Sequence, residues 1–328
     1  MARSTLSSKA VPGTSSTEVP GRSAVLNLII SVRPGQWTKN LLVFAGLLFG
    51  RRLLNPTALF LSAAAFVIFC ALSGVVYLIN DVVDRNSDRQ HPLKALRPIA
   101  SGAVSPATAT GTAFVLGAIG LVAAFELNAR FGNVATAYLA LLVLYSGWLK
   151  QIVIIDVLTI AIGFVIRAVA GAVAIDVEIS HWLLVCTILG ALFVSLAKRR
   201  HELVLLANDA MSHRRILGEY SPHLLDQMIA VVTASTLVAY VFYTISPETQ
   251  QKFGTPWLGS TIPFPLYGIF RYLYLVHQRE GGGSPADLLL TDRPLLACVA
   301  LWVLSVALVI YRPSIFGDLV IWLFGHWN

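Results

Sequence analysis

Residues 57–80 read TALFLSAAAFVIFCALSGVVYLIN, 24 positions without Asp, Glu, Lys or Arg, and residues 81–88 follow as DVVDRNSD. An α-helix needs about 20 predominantly apolar residues to cross about 30 Å of hydrocarbon. The run is therefore a membrane span, and its abrupt change to acids marks where it meets water. Outward from it, charge-free runs recur over 104–125, 131–149, 181–197 and 294–311. Three more stretches carry isolated charges: 151–175 with Asp156 and Arg167, 223–245 with Asp226, and 257–276 with Arg271. Near the start, an apolar piece over 24–32 reads as a surface helix, followed by a short span within 40–50. The expected fold is all-α and integral to the membrane, with nine transmembrane helices.

Composition agrees: 56% of the 328 residues are hydrophobic and 12% charged, against about a quarter charged in soluble domains. No fixed-period repeat or separating linker is visible, so a single transmembrane domain is expected over 24–312. A disordered tail is expected over 1–23, without the apolar core and cleavage site of a secretory signal, and an amphipathic or partial membrane helix over 313–328. The net charge of +7 invites a nucleic-acid partner, but its placement argues otherwise. With nine spans and the amino terminus inside, Arg85, Arg89, Lys94, Arg97, Lys150, Lys198, Arg199, Arg200, Arg214, Arg215, Arg279 and Arg293 fall on the cytoplasmic side. Only Arg51, Arg52, Arg130, Lys252 and Arg312 fall opposite. This is the positive-inside pattern of a plasma (inner) membrane protein, with its active face toward the cytoplasm. Most of the charge lies in two expected cytoplasmic loops, 81–105 and 198–221. Cys70, Cys186 and Cys298 lie in spans without metal-ligand spacing and read as inert buried thiols.

The chemistry concentrates at Asn80-Asp81-Val82-Val83-Asp84-Arg85-Asn86-Ser87-Asp88. Spacings of three and four place Asp81, Asp84 and Asp88 on one helical stripe, with Asn80 beside Asp84. Three such carboxylates repel one another unless a cation neutralises them. Magnesium suits them, since it takes hard oxygens and binds through one or two carboxylates plus substrate phosphates. The bland alternative is a solvated helix end whose acids pair with Arg85 and Arg89.

This stretch resembles the NDxxDxxxD motif of the UbiA superfamily of membrane prenyltransferases. Further resemblances follow in order: Arg33-Pro34-Gly35-Gln36-Trp37-Thr38-Lys39-Asn40, Arg97-Pro98-Ile99-Ala100-Ser101-Gly102, Tyr145-Ser146 with Leu149-Lys150 and Asp156, and Arg167-Ala168-Val169-Ala170-Gly171. They span about residues 30–310. The resemblance implies a bundle around a central cavity open to the cytoplasm and laterally to lipid, with Mg2+ held at Asp81, Asp84 and Asp88 and a diphosphate leaving group. Ordinary members carry a second aspartate cluster after the sixth span, where this chain has Lys198-Arg199-Arg200-His201-Glu202. Cations cannot ligate magnesium but bind phosphate directly. That departure is similar to the branch of decaprenyl-phosphate phosphoribosyltransferases of cell-wall arabinan synthesis. It implies phosphoribosyl diphosphate (PRPP) as donor and a polyprenyl phosphate as acceptor.

Beside Asn80, the candidate substrate-binding residues are Tyr77, Lys39, Lys94, Arg97, Tyr145, Lys150, Asp156, Arg167, Lys198, Arg199 and Glu202. A bare cation in mid-span is costly, so Arg167 is expected to face the cavity and contact a phosphate or Asp156. Lys198 to Arg200 read equally as a positive-inside anchor, Lys39 as a snorkelling side chain, and Tyr77 as an interface tyrosine. The competing enzyme is an aromatic polyprenyltransferase of the 4-hydroxybenzoate type, which shares the first acidic motif but would leave the 198–200 cations without an anion. A transporter is the competing class outside enzymes, though the chain lacks the internal repeats and broken helices common there. Gly163, Ala168 and Gly171 suit close helix packing within one chain or in a homo-oligomer.

Overall fold

The computed structural model describes residues 23–91, 94–206, 215–278, 288 and 291–312. Most of the expected tail, the expected helix over 313–328, and the basic positions Arg214 and Arg279 lie outside these residues. Ser23, the last residue of the expected tail, precedes the first helix: its hydroxyl accepts the Leu26 N–H and caps α1 (Ala24–Ser31).

Among the described residues every regular element is helical. A 3-10 segment (Pro34–Phe44) runs into α2 (Ala45–Phe49). Then come α3 (Pro56–Val83), α4 (Arg85–Gln90), α5 (Pro98–Ser101), α6 (Pro106–Leu127), α7 (Ala129–Gly147), α8 (Ile155–Ala174), α9 (His181–Leu206), α10 (Pro222–Ile245), α11 (Pro247–Phe253), α12 (Pro263–Gln278) and α13 (Arg293–Tyr311). A polar cap followed by proline starts α3, α6 and α10: Asn55-Pro56, Ser105-Pro106 and Ser221-Pro222. Each cap side chain accepts a backbone N–H from the first turn, satisfying a donor that the helix itself cannot.

Six helices, α3, α6, α8, α9, α10 and α13, are long and apolar enough to cross a membrane. The other three expected spans are also helical, but differ. The first is the 3-10 segment with α2, the second is α7, and the third is α12 preceded by a 3-10 turn over Trp257–Thr261. The sidedness of α6 shows what solvent it was built for. Ala109, Ala113, Gly117, Gly120 and Ala124 face inward, while Phe114, Val115, Ile119 and Val122 are exposed. Small residues inside and bulky apolar ones outside is the pattern of a helix packed on protein and bathed in lipid.

Neighbours in the chain are neighbours in space: α3 packs on α6, α6 on α7, α7 on α8, α8 on α9 and α9 on α10. One core gathers Phe69, Leu72, Phe131 and Tyr138; another gathers Leu196, Ile216, Leu225 and Tyr272. The last helix returns to the first segment, where the Tyr311 hydroxyl donates toward the carbonyls of Leu47 (3.1 Å) and Leu48 (3.2 Å) and accepts the Leu53 N–H (2.9 Å). The small residues of α8 serve this chain's own packing. A Cβ on Gly171 would lie 1.8 Å from the Val43 carbonyl oxygen, and one on Gly46 would lie 2.8 Å from Ala172 Cα. Only glycine allows this backbone-to-backbone approach, which brings the segment bearing Arg33, Lys39 and Asn40 against α8 and Arg167.

Candidate active site

The acidic motif does not form one continuous helix. Helix α3 ends at Val83, Asp84 is the junction (φ −89°, ψ 4°), and α4 begins at Arg85. Two backbone bonds carry the chain across the junction, Asp84 N–H to Asn80 O (2.9 Å) and Asp88 N–H to Asp84 O (2.8 Å). The carboxylates divide accordingly. Arg97 Nη1 bridges Asp81 Oδ1 (3.2 Å) and Asp88 Oδ2 (2.6 Å), and Arg33 also donates to Asp81, which is 2% exposed. Asp84 turns instead to Lys150, whose Nζ lies 2.5 Å from Asp84 Oδ1 and 3.5 Å from Asn80 Oδ1. Burial pushes the Asp88 carboxyl above the ordinary aspartate value, and the charge of Arg97 opposes that rise.

Arg85 and Arg89, the partners of the bland alternative, do not pair with these acids. Arg85 Nε donates to the Ile99 carbonyl (3.3 Å) and Arg89 Nε to that of Ala100 (2.8 Å). The side chains of α4 thereby hold α5 down, and α5 begins directly after Arg97. Arg33 sits in the left-handed region at φ 53°, uncommon for a side chain of this size. Its guanidinium lies 4.8 Å from the centre of the Tyr77 ring.

The basic triplet corrects the expected loop over 198–221: α9 continues to Leu206, so Lys198, Arg199 and Arg200 lie on a helix and point in different directions. Arg199, 2% exposed, donates from Nε to Asp156 Oδ2 (2.7 Å), from Nη1 to Glu202 Oε2 (2.7 Å) and from Nη2 to the Tyr145 hydroxyl (3.3 Å). Arg200 pairs with Asp226 of α10 at 2.5 Å. Lys198 Nζ is 3.9 Å from Glu202. Asp156 is fully buried and takes a further bond from the Tyr220 hydroxyl (2.9 Å). That hydroxyl also accepts the N–H of Ile154 (2.8 Å), a residue held at φ 69°. Burial pushes the Tyr220 phenol up to about 12, so it stays a donor. Asp156 therefore belongs to Arg199 and Tyr220, not to Arg167 as one expectation had it.

Arg167 lies deep in the bundle, 6% exposed. Its Nε donates to Asn40 Oδ1 (2.8 Å) and its Nη2 to the Tyr138 hydroxyl (2.7 Å), with the rings of Tyr138 and Phe164 about its guanidinium at 4.9 and 5.0 Å.

These groups surround one cavity of about 770 Å³. Thirteen of the fifteen residues anticipated from sequence line it: Lys39, Tyr77, Asn80, Asp84, Asp88, Lys94, Arg97, Tyr145, Lys150, Arg167, Lys198, Arg199 and Glu202. Asp81 and Asp156 stand behind the wall, each binding an arginine that lines it. Sequence reasoning missed Arg33, Phe164 and Ser195 in the lining, and Asn40, Tyr138 and Tyr220 behind it. Arg33 and Asn40 stood inside a motif already noted; nothing local pointed to the others. Among the described residues no three His, Cys, Asp or Glu side chains gather as a metal cage. What does converge is a pair of oxygens, Asn80 Oδ1 and Asp84 Oδ1, on one positive charge, the Lys150 ammonium.

Long helices with bulky apolar residues outward, around an interior cavity walled by carboxylates and guanidinium groups, define an integral membrane protein with a charge-lined interior site. The chain belongs to the UbiA prenyltransferase family, whose profile matches residues 39–290. It is accordingly a transferase. It is 31% identical over 303 residues to the decaprenyl-phosphate phosphoribosyltransferase of Corynebacterium glutamicum, covering 90% of each chain. It is 33% identical over 308 residues to the enzyme of the same name from Mycolicibacterium smegmatis, covering 90% of this chain and 96% of that one. Among solved structures, a UbiA homolog from Archaeoglobus fulgidus bound to DMAPP and Mg2+ superimposes with a TM-score of 0.66 at 17% identity, over 87% of this chain and 99% of that one.

Proposed function

We propose that this protein transfers the 5-phosphoribosyl group from PRPP to a polyprenyl phosphate, with decaprenyl phosphate as the natural acceptor. The products are polyprenylphosphoryl-5-phosphoribose and diphosphate, and the step supplies cell-wall arabinan synthesis. The reaction takes place in a nine-helix bundle of the plasma membrane, in a cavity open to the cytoplasm for PRPP and to the bilayer for the lipid. The observation that carries this reading is the single chamber in which the Asn80 and Asp84 oxygens face the arginines 33, 97, 167 and 199. A substrate pair with three separate phosphate groups calls for that mixture of charge. The likeness to two phosphoribosyltransferases over nine tenths of the chain supports it.

The donor set suits Mg2+. Two hard oxygens already meet on a cation, and magnesium fills its remaining positions with water and substrate phosphate. Asn80, Asp84 and Asp88 would hold it from the wall, with Asp81 fixing Arg33 and Arg97 behind them. When bound, the ion neutralises the charge that grows on departing diphosphate.

The chain's own groups do the rest. Arg97 and Lys150 border the leaving group and can shift from carboxylate to phosphate oxygens as it arrives. Lys39, Lys94 and Lys198 add positive charge to the chamber. Tyr77 and Tyr145 occupy wall that water would otherwise fill, protecting an oxocarbenium-like ribosyl centre from hydrolysis. The acceptor phosphate is already ionised near neutral pH, so the attacking oxygen needs orientation and no general base. Attack opposite the leaving group inverts the anomeric centre. The direct test is diphosphate release by the detergent-purified protein. Release that requires Mg2+, PRPP and polyprenyl phosphate together is expected. Release only from a prenyl diphosphate with an aromatic acceptor would replace this reading with the competing one.

A further inference from the structure

The three cations of α9 face as many carboxylates: Asp156 and Glu202 on Arg199, Glu202 near Lys198, and Asp226 on Arg200. Of the arginines lining the cavity, Arg33, Arg97 and Arg199 each bind a carboxylate. Arg167 binds none among the described residues. Its partners are neutral: the Asn40 amide oxygen and the Tyr138 hydroxyl. These are themselves fixed by Ser73, whose Oγ lies 3.2 Å from Asn40 Oδ1 and 3.0 Å from the Tyr138 hydroxyl, while Asn40 Nδ2 donates to Cys70 Sγ at 3.3 Å.

Such an arrangement makes poor sense as scaffolding alone. A guanidinium at membrane depth is costly without a counter-charge, and an aspartate at position 40 would supply one in almost the same shape. Asparagine holds the group in place and leaves its charge unspent. Among the described residues two of the five guanidinium N–H groups are engaged, which leaves three for a ligand. Arg167 itself lines the cavity, so those groups can reach a ligand held there. Ser73 precedes Asp81 by eight residues on α3, about 12 Å along the axis, so the cradle lies well below the acidic face. Asn40, Ser73, Tyr138 and Cys70 offer no carboxylate for a metal, so an anion bound here is bound directly.

We propose that Arg167 anchors a metal-free subsite for a phosphate monoester, and that Asn40 is its positioning residue, keeping the guanidinium both oriented and unneutralised. The ligands are named by the transfer reading above: the subsite takes either the 5-phosphate of the donor or the phosphate of the lipid acceptor.

The test is equilibrium binding, without metal, of ribose 5-phosphate and of farnesyl monophosphate to the detergent-purified full chain, with unfolding temperature measured in parallel. Asn40→Asp gives Arg167 a counter-ion in place. It is expected to weaken one ligand by roughly tenfold to a hundredfold without lowering the unfolding temperature. Loss confined to ribose 5-phosphate assigns the subsite to the donor; loss confined to farnesyl monophosphate assigns it to the lipid. Undiminished binding of both ligands by Asn40→Asp, or no binding of either by the unaltered protein, overturns the proposal. If Asn40→Asp unfolds early, Arg167→Gln decides, and unchanged binding by that variant is equally fatal. Unaltered protein that binds both ligands but releases no diphosphate from PRPP defeats the transfer reading and leaves the subsite standing.

Discussion

Asp84 and Asp81 stand three residues apart and do different work. Asp84 borders the cavity and answers to one lysine, whereas Asp81 is buried under two arginines. Asp84→Asn should abolish turnover, by a factor of a thousand or more on the order of a lost electrostatic contact in an enclosed site, while the unfolding temperature stays within a few degrees. Asp81→Asn leaves two arginines short of a counter-charge and should lower both activity and stability. Asp88 adds a pH dependence. Burial raises its carboxyl, so the ionised form that can hold a cation is lost, as pH falls, at a higher pH than for an exposed aspartate. Metal affinity should weaken there, and Asp88→Asn should remove that limb of the profile. At this scale the sequence was informative wherever charge stood against an apolar background, as at Asp81, Lys150 and Arg167. It was silent about partners. That Arg33 would meet Asp81, or Tyr220 would tie Ile154 to Asp156, depends on contacts 48 and 64 residues apart.

Helix α8 is the element on which the site's geometry depends. Its first turn carries Asp156, its middle Arg167, and its Gly171 admits the Val43 carbonyl to within contact of bare backbone. Gly171→Ala must push the 3-10 segment away. Overpacking of this kind costs about 1–3 kcal/mol, so a drop in unfolding temperature is expected, together with weaker substrate binding as Asn40 moves off Arg167. A normal unfolding temperature and normal affinity would show that the close approach is dispensable. The spans themselves were legible because twenty apolar residues admit few other interpretations. Their ends were less so. Lys198 to Arg200 look like loop by composition, yet the helix runs on for six more residues because each arginine finds a carboxylate on or beside it. Conversely, the acidic motif has perfect helical spacing but breaks at Asp84, where the chain leaves the bundle for the segment that carries Arg97.

For the molecule as a whole, the bundle gathers opposite charges into one apolar enclosure as close ion pairs that arriving phosphates can exchange into. The segment before α3 and the loop before α8 supply cations to the acidic face, α9 supplies cations matched by carboxylates of α8, α9 and α10, and α8 supplies one arginine whose partners among the described residues are neutral. Six spans were legible in full. The segments over 40–50, 131–149 and 257–276 are helical too, the first half 3-10 and the last interrupted, but they are not among the six helices long and apolar enough to cross a membrane, since apolarity in a sequence does not fix the length or regularity of the helix it forms. The central claim is that the Asn80 and Asp84 oxygens bind a divalent ion jointly with the donor's diphosphate. Titration calorimetry with Mg2+, in the presence and absence of PRPP, tests it most directly. Weak metal binding alone is expected, because only the Asn80 and Asp84 oxygens already converge while Asp88 is held by Arg97, with at least tenfold tighter binding when PRPP is present and loss of that enhancement in Asp84→Asn. Equal Mg2+ affinity with and without PRPP, or an enhancement that survives Asp84→Asn, would contradict it.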